Sequence, residues 1–293
     1  MSEDTYAGRR ARIASILDPS TVFVSDEDIE LAKEVVRSKK PHSTLSYSSA
    51  LKIHSGCVHP QTSSTIFTPL RISWILPSNV LCTTFMIMAS GAGSKNLITA
   101  SQIMNQTYNT AHYYANRNTS NPDSNLKIGL SYIAAVSSSI LTSTSLENFA
   151  RKSSNPALFR MFNPFVAVAV GTSVNMGCMR SSEIFVGVEV FEGGESRGVN
   201  LQAGRIGVGV SILGRILTAF APLTVPQLIS GYLNRSLFKS LPMLHTPVYV
   251  GCLAGVIQVT TPWTLGAFRQ RYEVEKSEVG IEGEGRVEWN RGM

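Results

Sequence analysis

The sequence predicts an all-α membrane protein with about five transmembrane helices, a soluble N-terminal helical segment and a mobile, acidic C-terminal tail. Three observations carry this prediction. Charged residues make up only 16% of the 293 residues, against about 25% in an ordinary soluble domain. The charges are concentrated near the two ends of the chain, and the mean hydropathy is slightly positive at +0.08. Between the ends, long windows contain almost no charge.

Residues 1–71 are predicted to form the soluble N-terminal segment. Ser25 begins the stretch SDEDIELAKEVVRSKKP, which has an N-cap residue, acids in its first turn, bases near its end and a proline after it. This is the pattern of a solvent-exposed helix. The start of the chain, MSEDTYAGRRARI, lacks an apolar signal core and contains Glu3 and Asp4. Because those acids argue against an ordinary transit peptide, any organelle targeting is expected to be internal.

Residues 72–268 are predicted to form the transmembrane domain. A hydrocarbon core about 30 Å thick needs about 20 helical residues, and several charge-poor windows approach or exceed that length. So many long apolar helices are hard to house in a soluble domain, where they need amphipathic neighbours to cover them. Arg215 is the only charged residue in these windows, and the second window is rich in serine and threonine. The predicted spans are residues 72–94, 128–146, 161–179, 206–234 and 245–268.

Two further segments are predicted outside the spans. Residues 269–293 are rich in acids and contain several glycines, a composition typical of a mobile tail. The stretch FEGGESRG, Phe191–Gly198, indicates a hairpin-like turn between the third and fourth helices.

An amide-rich helix with no acid and a single arginine, Arg117, is predicted at about residues 98–118, between the first two spans. Its polar residues recur at intervals of three and four, which places them on one face. An amide both donates and accepts hydrogen bonds, so it can bind a zwitterionic or hydroxylated solute without the cost of burying a charge. The same amides can instead bond to a neighbouring helix, and the sequence leaves both interpretations open. The face contains Gln102, Asn105, Asn109, His112 and Asn116.

Polar residues inside the predicted spans are further candidates. Asn175 lies in the third window, where a buried amide must find partners. Arg215 lies in the fourth window, and a cation within a membrane helix usually faces a cavity or a partner. It could also reach to the interface or form a structural ion pair, whereas Arg180 and Glu183 are expected to pair with each other. The candidate solute-binding residues are Asn105, Asn109, Asn116, Asn175 and Arg215.

The residue patterns of several other functions do not occur. The cysteines form no C-x-x-C pair and the histidines show no ligand spacing, so no metal is expected. The glycines of GRIGVGVSILG lack the GK[ST] of a nucleotide-binding loop. Neither an activated nucleophile nor a carboxylate pair indicates an enzyme. Despite a net charge of +6, no basic run interleaved with aromatics indicates nucleic-acid binding. We therefore expect no cofactor and no catalytic residue.

The sequence resembles the sideroflexin family over Tyr6–Gln270. NQTYNTAHYYANRN resembles the family's asparagine-rich signature, YAGRRARIASILDPSTVFVS its N-terminal block and HPQT its HPDT motif. NPFVAVAVGTSVNMGCMRSSEIFVGVEVF and GRIGVGVSILGRILTAFAPLTVPQ resemble its central block, and TPWTLGAFRQ its terminal TP…ALFPQ motif. Four residues depart from the pattern: Gln61 replaces the aspartate of HPDT, Tyr113 replaces one signature asparagine, His112 occupies a usually apolar position, and Arg269 replaces the proline of FPQ.

The resemblance implies a multi-pass secondary transporter of the mitochondrial inner membrane. Its implied substrates are serine and similar small neutral amino acids, and its implied role is to supply one-carbon metabolism. The five candidate solute-binding residues all match family positions. The resemblance also implies an N-terminus in the matrix and a C-terminus in the intermembrane space, on opposite sides, as five spans require.

The alternative function is a non-transporting inner-membrane scaffold or assembly factor, linked to a respiratory complex or to iron or heme. Expected partners are small neutral amino acids and the lipid bilayer, with no nucleic acid. Homo-oligomers and inner-membrane partner proteins stay open.

Overall fold

The computed structural model describes residues 5–117, 124–234, 237–269 and 271–290. Long α-helices make up most of it, and one small sheet packs at an end of the bundle. The helices are α1 (Tyr6–Ile16), α2 (Asp26–Ser38), α3 (Tyr47–Cys57), α4 (Ile75–Ala92), α5 (Lys95–Asn116), α6 (Asn125–Lys152), α7 (Pro156–Met179), α8 (Ser181–Phe185), α9 (Leu201–Leu233), α10 (Leu237–Ser240) and α11 (His245–Ala267). The strands are β1 (Val188–Glu192), β2 (Glu195–Asn200), β3 (Arg271–Glu275) and β4 (Arg286–Asn290).

The prediction of about five membrane-spanning helices is confirmed. In the described residues, five helices are long and apolar enough to cross a membrane: α4 with the turn before it, α6, α7, α9 and α11. Between 22% and 33% of the apolar window of each helix is buried inside the bundle. The remaining residues of each helix are intermediate or exposed, which leaves apolar surface for contact with lipid.

The serine-rich second span is explained by its packing against α7. Ser131, Ala135, Ser139 and Ser143 follow one another at intervals of four along α6, and all are buried. Small side chains at this spacing let two helices approach closely. The hydroxyls of Ser131, Ser139 and Ser143 thus face protein rather than lipid.

The amide-rich helix is α5, which runs along the bundle between α4 and α6. It begins directly after the turn at Gly93, and at its other end the Asn116 Nδ2 donates to the Leu70 carbonyl at 2.9 Å. Midway, the Gln106 Nε2 donates to the Ser139 hydroxyl at 2.9 Å. The predicted helix end at residue 118 lies outside the described residues.

The N-terminal segment packs on the bundle. The predicted cap at Ser25 is confirmed, because its hydroxyl accepts a hydrogen bond from the backbone of Asp28. Helices α2 and α3 share a small apolar core. Helix α1 lies across the end of α11, where the Arg9 Nε donates to the Gly266 carbonyl at 3.0 Å and the Tyr6 hydroxyl to the Trp263 carbonyl at 3.3 Å.

The prediction of a mobile C-terminal tail is wrong for the part that the structure describes. Strands β3 and β4 join β1 and β2 in an antiparallel sheet of order β2-β1-β4-β3. Apolar side chains alternate along the tail strands and so share one face. Val287 and Trp289 are almost fully buried there, together with Val190 of β1. The tail was predicted to be mobile because of its many acids and glycines, and this composition outweighed the short alternation of apolar residues. The predicted turn at Phe191–Gly198 is confirmed as the β1–β2 hairpin.

The two ends of the bundle differ in what they carry. Helix α1, the sheet, the last residue of α5 and the end of α11 lie at one end, which we call the N/C end. The turns after α4, α6 and α9 lie at the other, which we call the loop end; there Arg151 bonds to Gly93 and Ser230 to His245. The described chain therefore starts and finishes at the same end. The expectation of opposite sides counted five traverses of the bundle, and α5 adds a sixth.

Candidate functional site

A row of buried polar atoms without hydrogen-bond partners follows the inner face of α5. The side chains of Gln102 and Asn105 are 2% and 4% exposed. Among the described residues, nothing bonds to the Gln102 Oε1, the Asn105 Nδ2, the His112 Nε2 or the Asn116 Oδ1. A buried polar atom without a partner costs about 1–3 kcal/mol. Such a row on one helix face is expected where a solute or water completes the hydrogen bonds.

Other polar atoms of α5 hold the helix in place. Gln106 bonds to Ser139 of α6, and the Asn116 Nδ2 bonds to Leu70 while its Oδ1 has no partner in the described chain. The two interpretations left open by the sequence therefore apply to different atoms of one helix. The structural bonds come from Gln106 and from the Nδ2 of Asn116, and the unpartnered atoms belong to Gln102, Asn105, His112 and the Oδ1 of the same Asn116.

Asn109 shows where the inner face of α5 opens. The helical period places it on the same face as Asn105 and Asn116. Those two residues are buried and half-buried, yet Asn109 is exposed. The polar face is therefore accessible near the middle of the helix.

Arg215 of α9 approaches the C-terminal half of α5. It interacts electrostatically with His112 and Tyr113 of α5 and with Arg180 at the end of α7. Its side chain is exposed, and no carboxylate of the described chain pairs with it. Because a cation facing hydrocarbon is costly, this side chain is expected to meet water, either within the bundle or at the membrane surface.

Arg180 fastens the end of α7 to α9. Its guanidinium pairs with Glu183, as predicted, and its Nη1 donates to the Ser211 hydroxyl at 2.8 Å. Ser211 lies one helical turn before Arg215. This contact positions the arginine-bearing part of α9 beside α7 and α5.

Asn175 lies in the last part of α7 and is half-buried. The described contacts do not join it to the other four candidate residues. The structure thus brings together Asn105, Asn109, Asn116 and Arg215 around one polar face, and leaves Asn175 one to two turns before Arg180 on the adjoining helix.

Sequence reasoning missed a buried ion network at the loop end. Glu147 of α6 is fully buried and accepts hydrogen bonds from Arg151 at 2.9 Å and from Arg160 of α7 at 2.9 and 3.0 Å. The Arg151 Nη2 also donates to the Gly93 carbonyl at 2.7 Å, and the Ser90 hydroxyl to the Arg160 carbonyl at 2.7 Å. This network joins α4, α6 and α7. The predicted spans were defined as stretches without charge. Glu147 and Arg160 therefore marked the limits of two spans and were not considered as a pair inside the bundle.

The HPQT motif binds to the C-terminal end of α5, at the other end of the bundle from the Glu147 network. The His59 Nδ1 accepts hydrogen bonds from the backbone of Gln61 and Thr62, both at 3.3 Å. Its Nε2 therefore carries the proton and donates to the Arg117 carbonyl at 3.0 Å. A single buried imidazole thus fixes both a turn and a helix end. Among the described residues, no cluster of three histidine, cysteine or acidic side chains could hold a metal ion.

These features define a class of protein: a multi-pass helical membrane protein in which apolar helices pack against the polar face of a further helix, with an arginine beside it. The comparisons with known proteins then give the family. The family model for sideroflexins matches residues 2–292. The chain belongs to the sideroflexin family.

Its relatives are matched over most of their length. Sideroflexin of Dictyostelium discoideum is 30% identical, over 91% of this chain and 84% of the relative. Sideroflexin FSF1 of Saccharomyces cerevisiae is 29% identical, over 96% and 89%. Human Sideroflexin-2 is 28% identical, over 93% and 86%. No solved structure matches the chain.

Proposed function

We propose that the protein is a secondary transporter of the mitochondrial inner membrane that carries serine and similar small neutral amino acids, and thereby supplies one-carbon metabolism. Family membership and the multi-pass architecture support this proposal. The observation that carries it is the row of unpartnered buried polar atoms on α5 next to Arg215. An amino acid needs hydrogen-bond partners for its ammonium group and a cation for its carboxylate.

The proposed roles follow from the chemistry of each side chain. Arg215 binds the carboxylate, since a guanidinium matches a carboxylate with two parallel hydrogen bonds. Asn105 and Asn109 bond to the ammonium and hydroxyl groups, and Asn116 and Asn175 extend the polar path towards the N/C end. The Glu147 network joins three helices at the loop end. In an alternating-access mechanism, these ion pairs would break when the bundle opens at the loop end and form when the polar face is accessible from the other side.

Uptake of labelled serine into liposomes tests the proposal. Asn105→Ala should lower uptake at least several-fold, because the substitution removes a hydrogen-bonding group from the buried face of α5. Asn96→Ala is the matched control, since Asn96 lies on the same helix and is exposed. Both variants should keep the thermal midpoint of the unchanged protein within a few degrees. Folded protein that takes up no more serine than empty liposomes would overturn the proposal.

The alternative function is a scaffold or assembly factor that does not transport. The observation that favours it is the edge strand β2, whose residues 195–199 are exposed and leave backbone groups open to another strand. This function predicts an equimolar protein partner in mild detergent extracts and no serine uptake. An intact partner-free protein that transports serine would exclude it.

A further inference from the structure

A groove of about 430 Å³ lies where α9, the end of α11 and β3 meet. Its apolar wall consists of Val210 and Leu213 from α9 with Ala267 and Phe268 from the end of α11. The Phe268 ring packs on α9 at Gly214. Arg269 and residues of β3 form the polar rim. The groove is therefore apolar on its helical side and charged where the chain leaves the bundle.

Helix lengths place this groove at the surface of a bilayer. Helix α9 has 33 residues, about 50 Å at about 1.5 Å per residue, which exceeds the hydrocarbon thickness of about 30 Å. Its first turns pack against the sheet, where Trp289 contacts Gly207. Counted from the far end at Leu233, about 20 residues reach back to Leu213 and span the hydrocarbon. The groove thus lies at the level where lipid headgroups begin.

The charges at this rim suit an anion. Arg269 is exposed, and no carboxylate in the described chain pairs with it. Glu273, the acid of the rim, faces Arg286 at 3.7 Å. Helix α1 adds cations at the same end of α11, where the Arg10 guanidinium lies 4.8 Å from the Trp263 ring centroid. A guanidinium binds a phosphate through two parallel hydrogen bonds, and basic pockets beside membrane helices bind anionic headgroups.

We propose that this groove binds an anionic phospholipid, with an acyl chain against Val210, Leu213 and Phe268 and the phosphate on Arg269. The apolar wall selects a lipid over a free phosphate, because burying an acyl chain stabilises only the lipid. Arg269 is also the residue that stands where the family motif has proline, so the headgroup contact belongs to this chain's own sequence. The site lies where α9 meets the end of α11, and its occupation by a lipid does not depend on transport.

Native mass spectrometry of the purified protein with added phosphatidylglycerol tests the site. The unchanged protein should retain phosphatidylglycerol in preference to phosphatidylcholine. Arg269→Gln should weaken that retention about tenfold, the loss expected for one charge-assisted contact. Leu213→Trp, which fills the apolar wall, should weaken it while leaving the arginine in place. Lys152→Gln is the control, since it removes an exposed cation at the loop end.

Each outcome decides the matter. Equal retention by Arg269→Gln and the unchanged protein would overturn the headgroup contact, as would equal retention of phosphatidylcholine and phosphatidylglycerol. Undiminished retention by Leu213→Trp would overturn the groove. Loss of retention in Lys152→Gln to the same degree would show that net charge alone acts. The thermal midpoint in detergent micelles without added lipid establishes that each variant is folded.

Discussion

Glu147 shows how one carboxylate can hold three helices together inside a bundle. Its side chain is fully buried, while those of Arg151 and Arg160 are 51% and 30% exposed. The carboxylate is thus shielded while the guanidinium groups keep part of their hydration. The pair escapes much of the desolvation penalty of a fully buried ion pair.

Neutralising this carboxylate should destabilise the protein. Glu147→Gln keeps the size of the side chain but leaves two guanidinium groups around a neutral amide. We expect the free energy of unfolding to fall by about 2 kcal/mol, in the range of hydrogen bonds to charged groups. Denaturant unfolding in micelles measures it, and Glu195→Gln, an exposed acid of β2, should change nothing.

A double-mutant cycle with Arg160→Gln separates the ion pair from other effects. If the changes in unfolding free energy caused by the two substitutions are simply additive, the ion pair does not stabilise the loop end.

At this scale the sequence predicted residue types better than residue partners. The three-and-four spacing placed Gln102, Asn105 and Asn116 on the inner face of α5, where their side chains are buried or half-buried. It could not show that Gln106, one position beyond Asn105, would bond to α6, because that depends on how two helices cross. Arg215 was recognisable from the cost of a cation in a membrane helix. Its neighbours His112 and Arg180 come from distant parts of the chain.

At the scale of elements, Gly171 controls how closely α5, α6 and α7 approach. A Cβ atom at this position would lie 2.0 Å from the Ser139 hydroxyl, 2.5 Å from the Gln106 Nε2 and 3.3 Å from the Ala135 carbonyl. The hydrogen bond between α5 and α6 therefore passes directly over this glycine. No side chain fits there unless Gln106 and Ser139 move.

Gly171→Ala should break that contact and push α5 outward. We expect a loss of about 1–3 kcal/mol in stability, as for overpacking of a core, together with lower serine uptake. Gly177→Ala is the matched control in the same helix, because nothing lies within 4 Å of its added Cβ. The control should be neutral or slightly stabilising, since alanine favours helix over glycine. Equal midpoints for the two variants would mean that the three-helix contact is not tight.

Element types followed from the sequence except in the tail. The spanning helices were predicted from the length of the charge-poor windows, because a helix that crosses a bilayer must be long and apolar. The tail strands were not predicted, because their alternation of apolar residues covers only five residues each and lies among many acids. These strands are Arg271–Glu275 and Arg286–Asn290. The first turns of α9 pack on their apolar face, and β4 pairs with β1 of the same sheet. A strand that depends on distant neighbours cannot be recognised from its own composition.

At the scale of the whole molecule, α5 decides how many times the chain traverses the bundle. Hydropathy could not identify it as a span, because its amides lower the average and its polar face is covered by other helices rather than by lipid. The outer face of α5 carries exposed apolar side chains such as Leu97 and Ile103, and it is the opposite, polar face that packs against the bundle. The six long helices α4, α5, α6, α7, α9 and α11 therefore bring the chain back to the end from which it started.

Two sets of contacts hold the first helix and the tail strands of the described chain at the same end of the bundle. Helix α1 bonds to the last turn of α11 through Arg9 and Gly266. The tail strand β4 pairs with β1, which precedes α9, at Glu288 and Phe191. With five crossings the N-terminal segment and the turn after α6 would share one side, and the β1–β2 hairpin would lie on the other. With six crossings, the N-terminal segment and the hairpin share a side and the turn after α6 lies opposite.

Single cysteines at exposed positions distinguish the two arrangements. In a background without the four native cysteines, Glu27→Cys, Lys152→Cys and Glu195→Cys mark the N-terminal segment, the turn after α6 and the hairpin. A membrane-impermeant maleimide applied to sealed, uniformly oriented vesicles should label Glu27→Cys and Glu195→Cys together, and Lys152→Cys only after the vesicles are opened, or the reverse from the other side. Labelling of Glu27→Cys together with Lys152→Cys, with Glu195→Cys protected, would mean that α5 does not cross. The contacts of α1 with α11 would then have to form in a different arrangement, because α1 and the end of α11 would be separated by the bilayer.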